Sequence, residues 1–188
     1  MQYYHLECDF IEGEASFSFD EAFCDVGGLT DSSELAIRYY ETPPLVWVDQ
    51  VYPQRQMSDV LKAISYIPHQ RAVDVLCQSK VSGVQFIPVI VDIDGVQHSD
   101  FFSMNVVAQY PLLNLAASRA SAFSERLNGY KFIKKLVFCA DKLARTKIRH
   151  DIFRVEEHNQ AIVVSQRVKD ILDKHQISGV ICFPIEIC

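Results

Sequence analysis

The sequence predicts an α+β protein in which mixed or antiparallel sheets are covered by a few helices, and three observations carry that prediction. Short runs rich in apolar and β-favouring residues recur along the chain. Two stretches with apolar residues at helical spacing each lead through Ser-Gly into another such run. Asp94-Gly95 sits between two apolar runs, and this dipeptide favours a two-residue hairpin turn because it tolerates positive φ.

In chain order, strands are expected at about 2–10, 15–19, 45–51, 97–107, 131–139 and 148–155, with a helix near 57–66. Arg71-Ala-Val-Asp-Val-Leu then begins a helix with Ala72, Val75 and Leu76 on one face, and Val168, Ile171 and Leu172 do the same later. Ala161-Ile-Val-Val-Ser165 reads as a strand whose last residue caps the second helix through its hydroxyl. The matching position before the first helix is His69 after Pro68, which lacks that hydroxyl.

The two helical stretches belong to a self-match without gaps at a spacing of 96 residues. Arg71/Arg167, Asp74/Asp170, Leu76/Leu172, Ser82/Ser178, Gly83/Gly179, Val84/Val180 and Pro88/Pro184 are identical pairs. Each copy, 71–91 and 167–187, reads as helix, turn and strand. Gly83 and Gly179 are expected to end the helices at positive φ, as structural turn residues rather than a phosphate cradle, since no glycine-rich loop surrounds them. Pro88 and Pro184 cannot donate to a ladder, which places each near a sheet edge or a bulge. The chain is therefore one domain spanning 1–188, or two fused half-units, with a distinct acidic portion at 1–60.

Composition narrows the function. The 188 residues are 49% hydrophobic and 22% charged, with 12 Phe and 8 Tyr, which supports a packed interior and excludes wholesale disorder. No apolar run approaches a membrane span, and the first residues lack the basic flank and apolar stretch of a secretory signal. Six scattered cysteines without a Cys-x-x-Cys pair fit reduced thiols, packed as small hydrophobes, in a cytoplasmic protein.

The net charge of −6 conceals a strong asymmetry. Residues 1–60 hold twelve acids against Arg38 and Arg55, a field that favours a basic partner. Residues 126–155 hold nine Lys and Arg against Asp141 and Asp151. That basic segment alone would suit a nucleic-acid-binding regulatory module. The acidic balance of the whole chain and the lack of an RNA-binding aromatic motif weigh against it.

Candidate chemistry is sparse. No nucleophile elbow is present. His98 with Asp92, Asp94 and Asp100 could supply metal ligands for a hydrolase, yet acids cluster at an Asp-Gly turn for conformational reasons alone. His150-Asp151 and Glu156-Glu157-His158 bracket an apolar strand and read as its wet ends. Trp47, in Leu45-Val-Trp-Val48, reads as a core or interface aromatic. No cofactor is required by any of these patterns.

Asp151-Ile-Phe-Arg-Val-Glu-Glu-His158, then Ala161-Ile-Val-Val-Ser-Gln-Arg-Val-Lys-Asp-Ile-Leu172 and Ile177-Ser-Gly-Val180, resemble the C-terminal signature of immunity protein family eleven. That family belongs to bacterial polymorphic-toxin and type VI secretion systems. The likeness extends upstream through Arg71–Pro88 and Asp100-Phe-Phe-Ser-Met-Asn105, covering about residues 45–185 and leaving the acidic N-terminal stretch least matched. The resemblance implies a non-enzymatic antitoxin that binds a cognate secreted toxin, often a nuclease, without cofactor, metal or membrane. A nuclease carries a basic active-site groove, so Glu12, Glu14, Asp20, Glu21, Asp25, Asp31 and Glu34 are the expected toxin-facing residues.

Overall fold

A computed structural model describes residues 2–9, 16–19, 45–50, 57–62, 65–125, 129–130 and 132–188. The first half contains β1 (Tyr3–Cys8), β2 (Ser16–Phe19), β3 (Leu45–Gln50), β4 (Val60–Lys62), β5 (Tyr66–Pro68), α1 (Gln70–Gln78) and β6 (Val84–Ile93). It is followed by β7 (Val96–Val106), β8 (Gln109–Tyr110), β9 (Phe123–Ser124), β10 (Gly129–Tyr130), β11 (Val137–Phe138) and α2 (Ala140–Arg145). The chain then forms β12 (Ile152–Val155), β13 (His158–Ser165), α3 (Gln166–Lys174), β14 (Val180–Pro184) and β15 (Glu186–Ile187). This is the expected α+β class, with mixed and antiparallel sheets and few helices.

A five-stranded sheet of order β14-β1-β13-β12-β8 divides two apolar clusters. Along β13, Ile162 and Val164 enter the cluster under the helices, while Ala161 and Val163 enter the other. Burial on both faces explains why Ala161–Val164 is a continuous apolar run instead of an alternating one. A second sheet, of order β2-β3-β6-β7, is joined at the Asp94-Gly95 hairpin, where both residues have positive φ (55° and 80°).

The two helices are built alike. Ser165 caps α3 through its hydroxyl, and His69 caps α1 with its ring, Nδ1 accepting from the Arg71 N–H. The expectation that Gly83 and Gly179 stop the helices is corrected. Each helix ends earlier, in a Schellman motif, with Lys80 (φ 52°) and Gln176 (φ 50°) in the left-handed region. Val81 N–H bonds Leu76 C=O, and Ile177 N–H bonds Leu172 C=O.

The glycines serve a tighter purpose. A Cβ on Gly83 would lie 2.0 Å from the Ile152 carbonyl oxygen, and one on Gly179 would lie 2.1 Å from that of Val60. The turns are thus pressed against β12 and β4, and an aspartate locks each one. Asp151 accepts from the Ser82 N–H (3.1 Å), Ser82 Oγ (3.0 Å) and Arg167 (2.9 Å). Asp59 accepts from the Ser178 N–H (2.9 Å), Ser178 Oγ (2.9 Å) and Arg71 (2.6 Å). Each arginine also reaches across to the end of the other helix: Arg71 donates to the His175 carbonyl at 2.6 Å, and Arg167 donates to the Ser79 carbonyl.

These locks explain where strands depart from expectation. The helix expected near 57–66 is instead the β4–β5 hairpin, because Val60 N–H bonds Ser178 C=O and holds the segment extended. The strand expected over 148–155 begins at Ile152. Before it, the Arg149 and Asp151 N–H groups donate to Tyr110 Oη and Ser82 Oγ, so no ladder forms. Within 131–139 the strand is Val137–Phe138, since the Lys134 and Lys135 N–H groups share the Ser118 carbonyl. Helix α2 follows without any sequence signal identified above. Pro184 ends the outermost strand of the five-stranded sheet, and Pro88 directly precedes a register shift between Val89 and Val91.

Partial burial pushes the Asp59 and Asp151 carboxyls up, but the hydrogen bonds from their serines and arginines outweigh it and hold both below the ordinary 3.8. A depressed carboxylate contributes its stability above the unfolded-state value and loses it as pH falls through the folded-state value. Asp151→Asn should therefore cost about 2 kcal/mol at neutral pH. Thermal melts should show the difference from wild type shrinking below pH 3.8; a constant difference would refute the carboxylate's role.

Candidate functional site

Two recesses concentrate the polar groups. The larger, of about 800 Å³, is lined by α3 and by the lead-in to β12, with Ser79 also in its wall. Arg167, Asp170, Ile171 and Lys174 face it from the helix, and Arg149 and His150 face it from the lead-in. The local fold explains the placement: Val168 and Leu172 turn inward to the core, so the opposite helical face is presented to the recess.

Its charges divide into two kinds. Arg167 and Asp151 are engaged in the turn lock, and Asp170 accepts from Gln166 at 2.8 Å. Arg149 and Lys174 are exposed and have no hydrogen-bonding or ion-pair partner for their side chains among the described residues. His150 Nδ1 lies 2.7 Å from Tyr110 Oη. Ser165 and Ser82 hydroxyls contact the Asp151 carboxylate directly, with no imidazole between, so this is not a nucleophile–base arrangement.

The smaller recess, of about 320 Å³, lies beside β1 and β14 and is lined by His5, Glu7, Lys135, His158, Phe183 and Glu186, among others. His5 Nδ1 is 2.8 Å from Glu7, and Lys135 Nζ is 2.7 Å from Glu186. Phe183 is 45% exposed at its rim, and Phe132, beside the lining residue Ile133, is 60% exposed. Burial lowers the His5 pKa most, Glu7 pulls it up and His158 pushes it down, leaving it below 6.5. Burial also lowers His158.

All seven expected toxin-facing residues, Glu12, Glu14, Asp20, Glu21, Asp25, Asp31 and Glu34, lie outside the described residues, as does the side chain of Trp47. The hairpin set does not converge. Asp92 Oδ1 accepts from Gly95 N–H at 2.8 Å, and Asp100 pairs with His69 at 2.9 Å. Among the described residues no group of three His, Cys, Asp or Glu side chains is arranged to hold a metal.

Three residues read as wet strand ends have firmer roles: Asp151 locks a turn, Glu157 pairs with Lys142 at 2.7 Å, and His158 lines the smaller recess. Cys182 is a half-buried thiol raised to about 11 by burial, whereas Cys77 and Cys188 are exposed, contrary to a uniform core role. Sequence reasoning missed the cationic recess because Arg149 and Lys174 are 25 positions apart. Only the helical period of α3 and the proximity imposed by Asp151 unite them. No helix among the described residues is long and apolar enough to cross a membrane.

A family model described as an immunity protein family, Imm11, matches residues 6–184, so the likeness begins inside the acidic stretch rather than near residue 45. No curated protein matches the chain.

The lowered histidines set a pH dependence. Neutral His5 and His158 suit the folded state, so stability is complete above 6.5 and declines as pH falls through their folded-state values. His158→Gln should flatten that decline by a few degrees in thermal melts; an unchanged slope would show that His158 does not contribute.

Proposed function

The chain belongs to the Imm11 immunity protein family, and from that premise we propose that it binds a cognate toxin and neutralises it in the cell that makes both. One observation carries the reading: the family match spans residues 6–184, nearly the whole chain, so the immunity role attaches to this fold and not to an appended module. The geometry supports a binding role over a chemical one. The larger recess offers cations and hydroxyls already committed to a carboxylate, and the smaller one offers a charged pocket rimmed by exposed phenylalanine.

The finer proposal is that the toxin is a secreted nuclease of a type VI or polymorphic-toxin system, met in the cytoplasm. Glu12, Glu14, Asp20, Glu21, Asp25, Asp31 and Glu34 would enter its cationic groove, where carboxylates stand in for nucleic-acid phosphates. Long-range attraction raises the encounter rate and rejects partners of like charge, while apolar anchors supply most of the affinity.

Co-expression with the cognate toxin, sought in the adjacent reading frame, tests both levels. The wild-type chain should restore growth, and failure to do so would remove the immunity reading. Changing Glu12, Glu14, Asp20 and Glu21 together to Lys should slow association about tenfold at low ionic strength, with the difference shrinking as salt screens it. Equal association rates would remove the acidic stretch from the interface while leaving immunity intact.

A further inference from the structure

The two turn locks allow the larger recess to be compared with its counterpart elsewhere in the chain. Asp59 and Asp151 hold equivalent turns, Arg71 and Arg167 hold equivalent ends, and Gln70–Asp74 and Gln166–Asp170 make equivalent side-chain hydrogen bonds, at 2.7 and 2.8 Å. Those residues occur in both places and serve the fold. What differs is charge. Two residues before the locking aspartate stands Met57 in one place and Arg149 in the other; one residue before stands Ser58 or His150. At the last position of the helix stands Gln78 or Lys174. The cations of the larger recess are thus surplus to what the turn lock requires.

We propose that this recess is a docking site for an acidic, carboxylate-bearing segment of the cognate toxin, held by Arg149, Lys174 and His150. The site rests on the toxin-binding reading and adds a second surface of opposite sign to the acidic stretch. About 800 Å³ accommodates several side chains, not a lone ion. Arg149 presents a planar fork suited to a carboxylate, and Lys174 supplies a point charge seated on the same recess. Exposed Arg145 and Lys147 precede Arg149 in the chain and extend the positive field.

Nucleic acid fits less well. A single strand needs a backbone-tracking groove with aromatic faces on which bases stack. The one phenol of this lining, Tyr3, is 5% exposed and packs edge-on against Phe153, so it presents no free face.

The test uses Arg149→Glu/Lys174→Glu and the milder Arg149→Gln/Lys174→Gln, both confined to exposed side chains outside the turn lock. Three probes are applied at low salt: a labelled hexaglutamate peptide, a single-stranded DNA oligonucleotide of matched charge, and the cognate toxin. Hexaglutamate should bind wild type more tightly than the oligonucleotide does, weaken several-fold in the Gln pair and at least tenfold in the Glu pair. Toxin dissociation should accelerate in the same order, while circular dichroism stays unchanged. Tighter binding of the oligonucleotide, or equal toxin and peptide binding by all three chains, would overturn the docking site. If wild type binds and rescues while the variants match it, the recess assignment alone falls; if wild type does not bind the toxin, the immunity reading falls with it.

Discussion

The architecture depends on a backbone approach that only glycine permits. Gly83 and Gly179 bring their turns against the carbonyls of Ile152 and Val60, and a carboxylate from the adjoining segment fastens each turn through a serine. Because each turn lies against the β-hairpin that belongs to the other helix, the contacts are reciprocal. Asp59 reaches Ser178 and Asp151 reaches Ser82, while each arginine bonds its own aspartate and the far helix end. Local turn geometry and long-range assembly are therefore the same interaction. Loss of one aspartate leaves a serine turn and an arginine short of partners together, which makes the cost cooperative.

That reciprocity explains which parts of the fold were legible in sequence. The pairs Arg71/Arg167, Ser82/Ser178 and Gly83/Gly179 stood out because each meets the same demand twice, and Asp94-Gly95 named its own hairpin. The locking role of the aspartates was not legible, since Asp59 and Asp151 lie before the aligned stretch and find their serines 119 and 69 residues away. The false helix near 57–66 has the same origin: a contact from Ser178 extends a segment whose local pattern permits a helix. Gly83 and Gly179 do take the expected positive φ (92° and 84°), but the helices are stopped three residues earlier, at Lys80 and Gln176.

The candidate site was less legible, for a physical reason. Catalytic centres announce themselves through residue types that must cooperate at short range. A binding surface needs only exposed charge and apolar area brought together by folding. Arg149 and Lys174 come to line one recess only through the packing of α3 against the β12 lead-in, and Phe183 and Lys135 another only through the approach of the 132–136 segment to β14. Three cations of the basic segment that suggested a nucleic-acid patch are engaged within the fold. Lys142 holds Glu157 and the Leu113 carbonyl, Lys135 holds Glu186, and Arg154 donates to Asn159.

A protein that protects by occupying a surface must be present in the same amount as what it blocks. The most direct measurement is a titration of toxin activity at a fixed toxin concentration well above the dissociation constant, with increasing amounts of this chain. Inhibition by occupancy predicts a linear fall that ends sharply at a fixed molar ratio and does not deepen with incubation time. Full protection by a small fraction of that amount, growing with time, would mean that the chain acts by turnover and would contradict the account.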